Sequence, residues 1–288
     1  MDDLILRPRL NDYHKILLNQ DRTDFFIPFL DEDLPLYVDP FLLWKSDASI
    51  DSSLHGSLVD SFNYLGAIYS KGNESEAIDI LISASECSEV GLGTSSNKRG
   101  KRIGKTSANQ ILNLFKDIPQ LKEYGFTHFE EIQFLVEGIS KDRISDISCS
   151  LLSQFLVEYT QDQCVRHGIP MSMVETKIFV PQKKKFILTS KELPINPKSN
   201  SPIWLIPKRW LRQMPWMNPD DFFNEYLPSE NPSLKLSRPE IIDYNRLHYL
   251  QIEGYTRQKE ASVQELKCDP LFKQIPVTSA KRTMSDIR

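Results

Sequence analysis

Two aspartates one helical turn apart, Asp142 and Asp146, stand in the stretch EGISKDRISDIS (137–148), flanked by Lys141 and Arg143 and followed by a strongly apolar run. Glu131 and Glu137 lie just upstream, and Glu175-Thr176-Lys177 follows downstream. Carboxylate oxygens are the ligands of hard divalent cations such as Mg2+, which keeps several of its waters. Two or three acids and a lysine therefore suffice for hydrolysis of a phosphodiester. The cation lowers the pKa of a bound water and stabilises charge on the phosphate, while the lysine positions or activates the water. The acids would be drawn from Asp142, Asp146 and Glu175, with Lys177 assisting. Glu175 and Lys177 fall on one side of a strand, because strand side chains alternate with period two. A purely structural account competes. Acids in the first turn of a helix gain roughly 0.3–1 kcal/mol each from the helix dipole, with Ser140 or Ser145 as cap. Glu175 and Lys177 would then be partners on a wet sheet face.

An acid ahead of a strand carrying Glu-x-Lys, with a further acid on a preceding helix, resembles the PD-(D/E)XK nuclease superfamily over roughly residues 127–185. The resemblance implies a mixed sheet flanked by helices and one or two Mg2+ ions. Carried over by position, it makes Asp146 the lone metal-binding aspartate, Glu175 and Lys177 the motif pair, and Glu131 the helical acid.

The bases are bunched. One group, in GLGTSSNKRGKRIGKT (91–106), holds Lys98, Arg99, Lys101, Arg102 and Lys105. Glycines let backbone N–H groups approach an anion, a helix N-terminus behind them adds favourable partial charge, and the bases add phosphate affinity. This is not a Walker loop, because Arg99 stands where its first glycine belongs. It is not a dinucleotide fingerprint either, because Ser96 follows the Gly91-x-Gly93 pair. A phosphate-contact loop and a solvated surface loop both remain open. A second group, Lys183 to Lys185, falls at a turn. A third, Lys208, Arg209 and Arg212, interleaves with Trp204, Trp210 and Trp216, a pattern that stacks bases and holds phosphates or anchors a core or interface. Histidines are scattered (His14, His55, His128, His167, His248), with only His128 and Glu131 at helical spacing, and no GxSxG elbow supports a serine nucleophile.

Several elements must position these groups. LYVDP reads as a short strand stopped by Asp39-Pro40. Leu54, Leu58, Phe62 and Leu65 give the spacing of one helix, and NESEAIDILISAS gives a second, capped by Asn73 or Ser75. A third starts near Thr106 or Ser107. THFEEIQFLVEG reads as a helix with Thr127 as N-cap and Glu130 as its capping-box acid, stopped at Gly138. One long helix is expected from the Asp142 stretch to about His167, ending at Gly168. VETKIFV and KKFILTS then read as two strands joined through PQKKK, and PIWLIP as a third strand or buried extended run. A capped helix begins at Asn218-Pro219, and helix continues to about Lys267.

The fold class expected is α+β, helix-rich, with a small mixed sheet flanked by helices. The expected partition is an N-terminal arm over 1–30, a main domain over 31–232 and a helical C-terminal extension with a polar tail over 233–288. The chain of 288 residues carries a net charge of −4, but residues 1–60 hold twelve acids and five bases, leaving +3 on the rest. Bunched bases on an acidic chain point to an anion or nucleic-acid surface. No apolar run is long enough to cross a bilayer, the first residues lack a signal-peptide pattern, and Cys87, Cys149, Cys164 and Cys268 form no CxxC pair. A cytoplasmic location without membrane association is therefore expected. The function expected is nucleic-acid interaction, sharpened to an Mg2+-dependent nuclease suited to bacterial antiviral defence. The alternative is a non-catalytic subunit that binds a protein partner or a second copy of itself.

Overall fold

Asp39 ends β1 (Tyr37–Val38) as expected and starts the next element. Its carboxylate accepts the Phe41 N–H at 3.1 Å and so caps α2 (Pro40–Trp44). The computed structural model describes residues 8–93 and 102–262. A short α1 (Leu10–His14) precedes β1; α3 (Ser49–Ser70) and α4 (Glu74–Ala84) follow α2, then α5 (Lys105–Asp117) and α6 (Pro119–Tyr124). The stripe Leu58, Phe62 and Leu65 of α3 is buried in the main core. Gly66 on the same helix lets the Phe115 ring of α5 lie against the helix, where any Cβ would overlap it.

Two expected helices differ. Residues Phe129–Phe134 form a tight 3-10 turn rather than an α-helix, and Thr127 is not its cap. All six residues are buried, so no solvent face exists for an amphipathic helix, and Glu130 faces the interior instead of closing a capping box. The expected long helix is two, α7 (Lys141–Leu151) and α8 (Ser153–His167), broken at Leu152. Serine hydroxyls that bond back to helix carbonyls bend helices. Here Ser148 Oγ donates to the Ile144 carbonyl at 2.7 Å and Ser153 Oγ to that of Ser150 at 2.6 Å. Ser153 Oγ also accepts the Phe179 N–H at 2.7 Å, which fixes the next strand to the break.

That strand, β2 (Ser172–Val180), pairs antiparallel with β3 (Lys185–Leu193), placing Glu175 opposite Ser190 and Lys177 opposite Leu188. β4 (Leu211–Arg212) pairs antiparallel with β1. Residues 203–206 are buried but lie outside any named strand; the nearest pairings are isolated bridges at Pro202 and Pro207. The chain then forms α9 (Pro219–Asp221), a π-helical turn (Phe222–Tyr226), α10 (Leu227–Glu230), α11 (Arg238–Leu247) and α12 (Leu250–Ala261). The fold is α+β and helix-rich, its strands grouped in two small ladders flanked by helices.

The expected terminal arms are packed in. Leu10, Phe25, Ile27 and Leu30 join Cys164, Ile169, Ile203 and Leu205 in a second small core, while Ile242, Ile252 and Tyr255 belong to the main core. Among the described residues no helix is long and apolar enough to cross a membrane.

Candidate functional site

The end of α4 and the segment after it, residues 83–93, gather side chains from three distant parts of the chain. Lys177 Nζ donates to Ser83 Oγ at 3.2 Å, Arg143 to the Ser85 carbonyl at 3.1 Å, and Ile103 N–H to Ser85 Oγ at 3.0 Å. Arg102 pairs with Glu86 at 3.1 Å, and the Cys87 N–H favours the charged form of Asp146. Gly93 has φ +116°, and a Cβ there would sit 2.6 Å from Asp142 Oδ1, so only glycine leaves room for that carboxylate. The two ends of the basic stretch thus stand beside Asp142 and beside Glu86. Lys98, Arg99 and Lys101 lie outside the described residues. Lys105 is exposed as the first residue of α5.

Arg143 sits between the two aspartates, 3.0 Å from Asp146 and 3.9 Å from Asp142. Burial pushes the Asp146 carboxyl well above the usual range and the charges of Asp142 and Glu86 add to this; Arg143 and the Cys87 N–H oppose it. Burial also raises Asp142, again against Arg143. An acid with such a shift beside specific charges is a functional-site candidate.

The other predicted acids lie elsewhere. Glu175 is exposed on the outer face of the hairpin, and Glu137 is exposed before α7. Glu131 is buried and accepts bonds from Tyr249 Oη and, at 2.6 Å, Thr256 Oγ1. Asp146 lies on α7, and among the described residues β2 pairs with β3 alone. Among the described residues no group of three or more His, Cys, Asp or Glu side chains is arranged to hold a metal ion.

The tryptophan segment is not a base-stacking surface. Trp204 and Trp210 are buried and Trp216 is half-buried. Each base between them is tied down: Lys208 to the Gln20 carbonyl, Arg209 to both oxygens of buried Asp51 at 2.6 and 2.7 Å, and Arg212 to the Met214 carbonyl at 2.8 Å with Asp39 at 3.7 Å.

A buried charge network was not legible in the sequence. His128 stacks on Phe41 with centroids 4.3 Å apart, lies 5.5 Å from the His55 ring, and contacts Glu260 at 3.2 Å and Glu130 at 3.9 Å. Burial alone would lower His128, but Glu130 and Glu260 carry it up to about 9. Burial lowers His55 to about 4 and raises Glu131 to about 7, against donation from Thr256 and Tyr249. Glu131, Tyr249 and Glu260 also line a cleft of about 310 Å³ with Tyr124 at its edge. These residues come from separate elements, so no local spacing announces them. The one hint was the isolated pair His128 and Glu131.

The chain belongs to the family described as Domain of unknown function (DUF8370), whose model matches residues 15–218. No curated protein and no solved structure matches. The matched region contains the 83–93 crossroads with Asp142, Asp146 and Lys177. The His128 and Glu131 network, by contrast, is completed by Tyr249, Thr256 and Glu260 from beyond it.

Proposed function

We propose that this protein binds nucleic acid through the phosphate backbone, with Asp142 and Asp146 as the carboxylates at which Mg2+-assisted cleavage takes place. The observation that carries this reading is the convergence on residues 83–93 of Asp142, Asp146, Lys177 and Arg102. Mg2+ is held in many phosphoryl-transfer sites by one or two carboxylates together with substrate phosphates, and this donor set suits that arrangement rather than an all-protein cage. When bound, the ion would supply an activated water and charge stabilisation. Arg102, Lys105 and Lys177 bring positive charge to the backbone, and Arg143 holds Asp146 in place. Glu175 and Glu131 have no part in this form of the site.

The test is binding and cleavage of labelled single- and double-stranded DNA and RNA with Mg2+ or Mn2+. Asp146→Asn is expected to abolish cleavage and leave binding intact, whereas Arg102→Ala and Lys177→Ala weaken binding. Binding and cleavage unchanged in all three variants would sink the reading. A protein-docking role is favoured by one different observation: Met173 and Leu188 are 66% and 63% exposed on the open face of the hairpin. It predicts a stable complex recovered from cells that is lost in the Met173→Ser, Leu188→Ser double variant.

A further inference from the structure

The hairpin turn carries bases that no carboxylate among the described residues neutralises. Lys177, Lys183 and Lys185 are exposed and Lys184 is half-buried, and none forms an ion pair among the described residues. Lys177 reaches Ser83 of α4 and lies 5.0 Å from the centroid of the Phe186 ring. Lys184 reaches Ser61 of α3 at 3.4 Å and lies 5.8 Å from the Tyr64 centroid. Lys184 also has φ +51°, a left-handed conformation that glycine adopts more readily, yet the position carries a long side chain seated on α3. That seat fixes the turn, with exposed Lys183 and Lys185 on either side of it. Over 172–193 five lysines face two glutamates, Glu175 and Glu192, both toward the open end of the hairpin and away from the turn.

The α4 end is shared. Lys177 touches Ser83, and Arg102 touches Glu86 three residues on. Lys177 therefore links the α4 end to the turn, and Arg102, paired with Glu86 but with an exposed guanidinium, stands at the same end. Lysine binds phosphate as a point charge and needs no bidentate geometry, and most protein contacts to nucleic acid are of this backbone type.

We propose that the β2–β3 turn is a second phosphate-backbone contact, in which Lys183 and Lys185, with Lys177 behind them, extend the track that begins at Arg102 and Lys105. The proposal rests on the nucleic-acid reading above and adds the strand's path. It is tested by fluorescence anisotropy of labelled single-stranded DNA over a salt series. The variants are Lys183→Gln with Lys185→Gln, and separately Arg102→Gln with Lys105→Gln. Each lost phosphate contact to a single strand flattens the slope of log affinity against log salt by about 0.7. The hairpin variant is thus expected to lose about 1.4 from its slope, by the same counting, while its thermal melt stays unchanged. A flattened slope in the Arg102 and Lys105 variant alone would overturn the hairpin contact and leave the proposed function standing. No binding by the wild type at low salt would overturn both. Polyglutamate competing as well as DNA would make the turn a face for an acidic protein and overturn the proposal.

Discussion

The two basic segments 177–185 and 208–212 look alike in sequence and have opposite fates. Lys208, Arg209 and Arg212 lie against the N-terminal sixty residues, where acids are in excess, and Asp51 and Asp39 take up two of their charges. Lys177 and the turn lysines lie against α3 and α4 at serines and aromatic rings, so their charge is left over. A cluster of bases becomes a binding surface only where the fold withholds acids from it, and the uneven charge of the chain decides where that happens. The first sixty residues neutralise one basic segment from within and leave the other open.

That contrast can be broken experimentally. Arg209→Ala strands the carboxylate of Asp51, which is 0% exposed, with Ser46 as its remaining side-chain donor. A loss of about 3 kcal/mol is expected in urea unfolding, the scale for breaking a buried ion pair. A smaller effect is expected from pH. His128 has a folded pKa of about 9 against an ordinary 6.5, so its contribution is complete below pH 6.5 and is lost as pH rises through about 9. Glu131, raised to about 7, acts in the same sense between its ordinary 4.5 and 7. His55, lowered to about 4, acts oppositely, its contribution fading as pH falls from 6.5 through 4. Stability should decline by on the order of 2 kcal/mol between pH 7 and 10, and His128→Gln should flatten that decline.

Ser153→Ala should cost about 1–2 kcal/mol by leaving the buried Phe179 N–H without its acceptor. Equal stability to the wild type would show that the hairpin is seated by its lysines instead. Smallest of all, Lys183→Ala should change stability by less than about 0.5 kcal/mol, as for a surface residue away from any partner. A larger loss would mean that the turn lysines are structural like their counterparts at 208–212.

The sequence carried local features well. The α3 stripe, the Asp39-Pro40 stop, the Asn218 cap and the β2–β3 hairpin were legible because each depends on neighbours in the chain. The break at Leu152 was hidden because the apolar pattern runs on through it, while Ser153 answers to Phe179 on another element. The 3-10 turn at 129–134 was missed because Thr127 and Glu130 match a capping box, whereas Glu130 is buried with the rest of the turn. Part of the candidate site was legible: Asp142, Asp146 and Lys177 stand along one segment, Lys177 at Ser83 and Asp142 at Gly93. Glu175 could not be excluded, since strand periodicity gives a face and not what lies opposite it.

Asp39 has one more consequence. Its carboxylate caps α2 at Phe41, accepts the Trp216 N–H at 2.7 Å and faces Arg212, beside the β1–β4 pairing. A buried carboxylate near the start of the chain is therefore fully satisfied only once residues near the end of the family-matched region join Phe41 around it. During synthesis the N-terminal portion must wait, with Phe41 and Leu43 lacking their final packing, until residues 211–216 have left the ribosome. Such late, long-range closure slows folding and prolongs exposure of apolar surface. A nascent chain halted before Trp216 should accordingly stay protease-sensitive and chaperone-bound, however complete its helices.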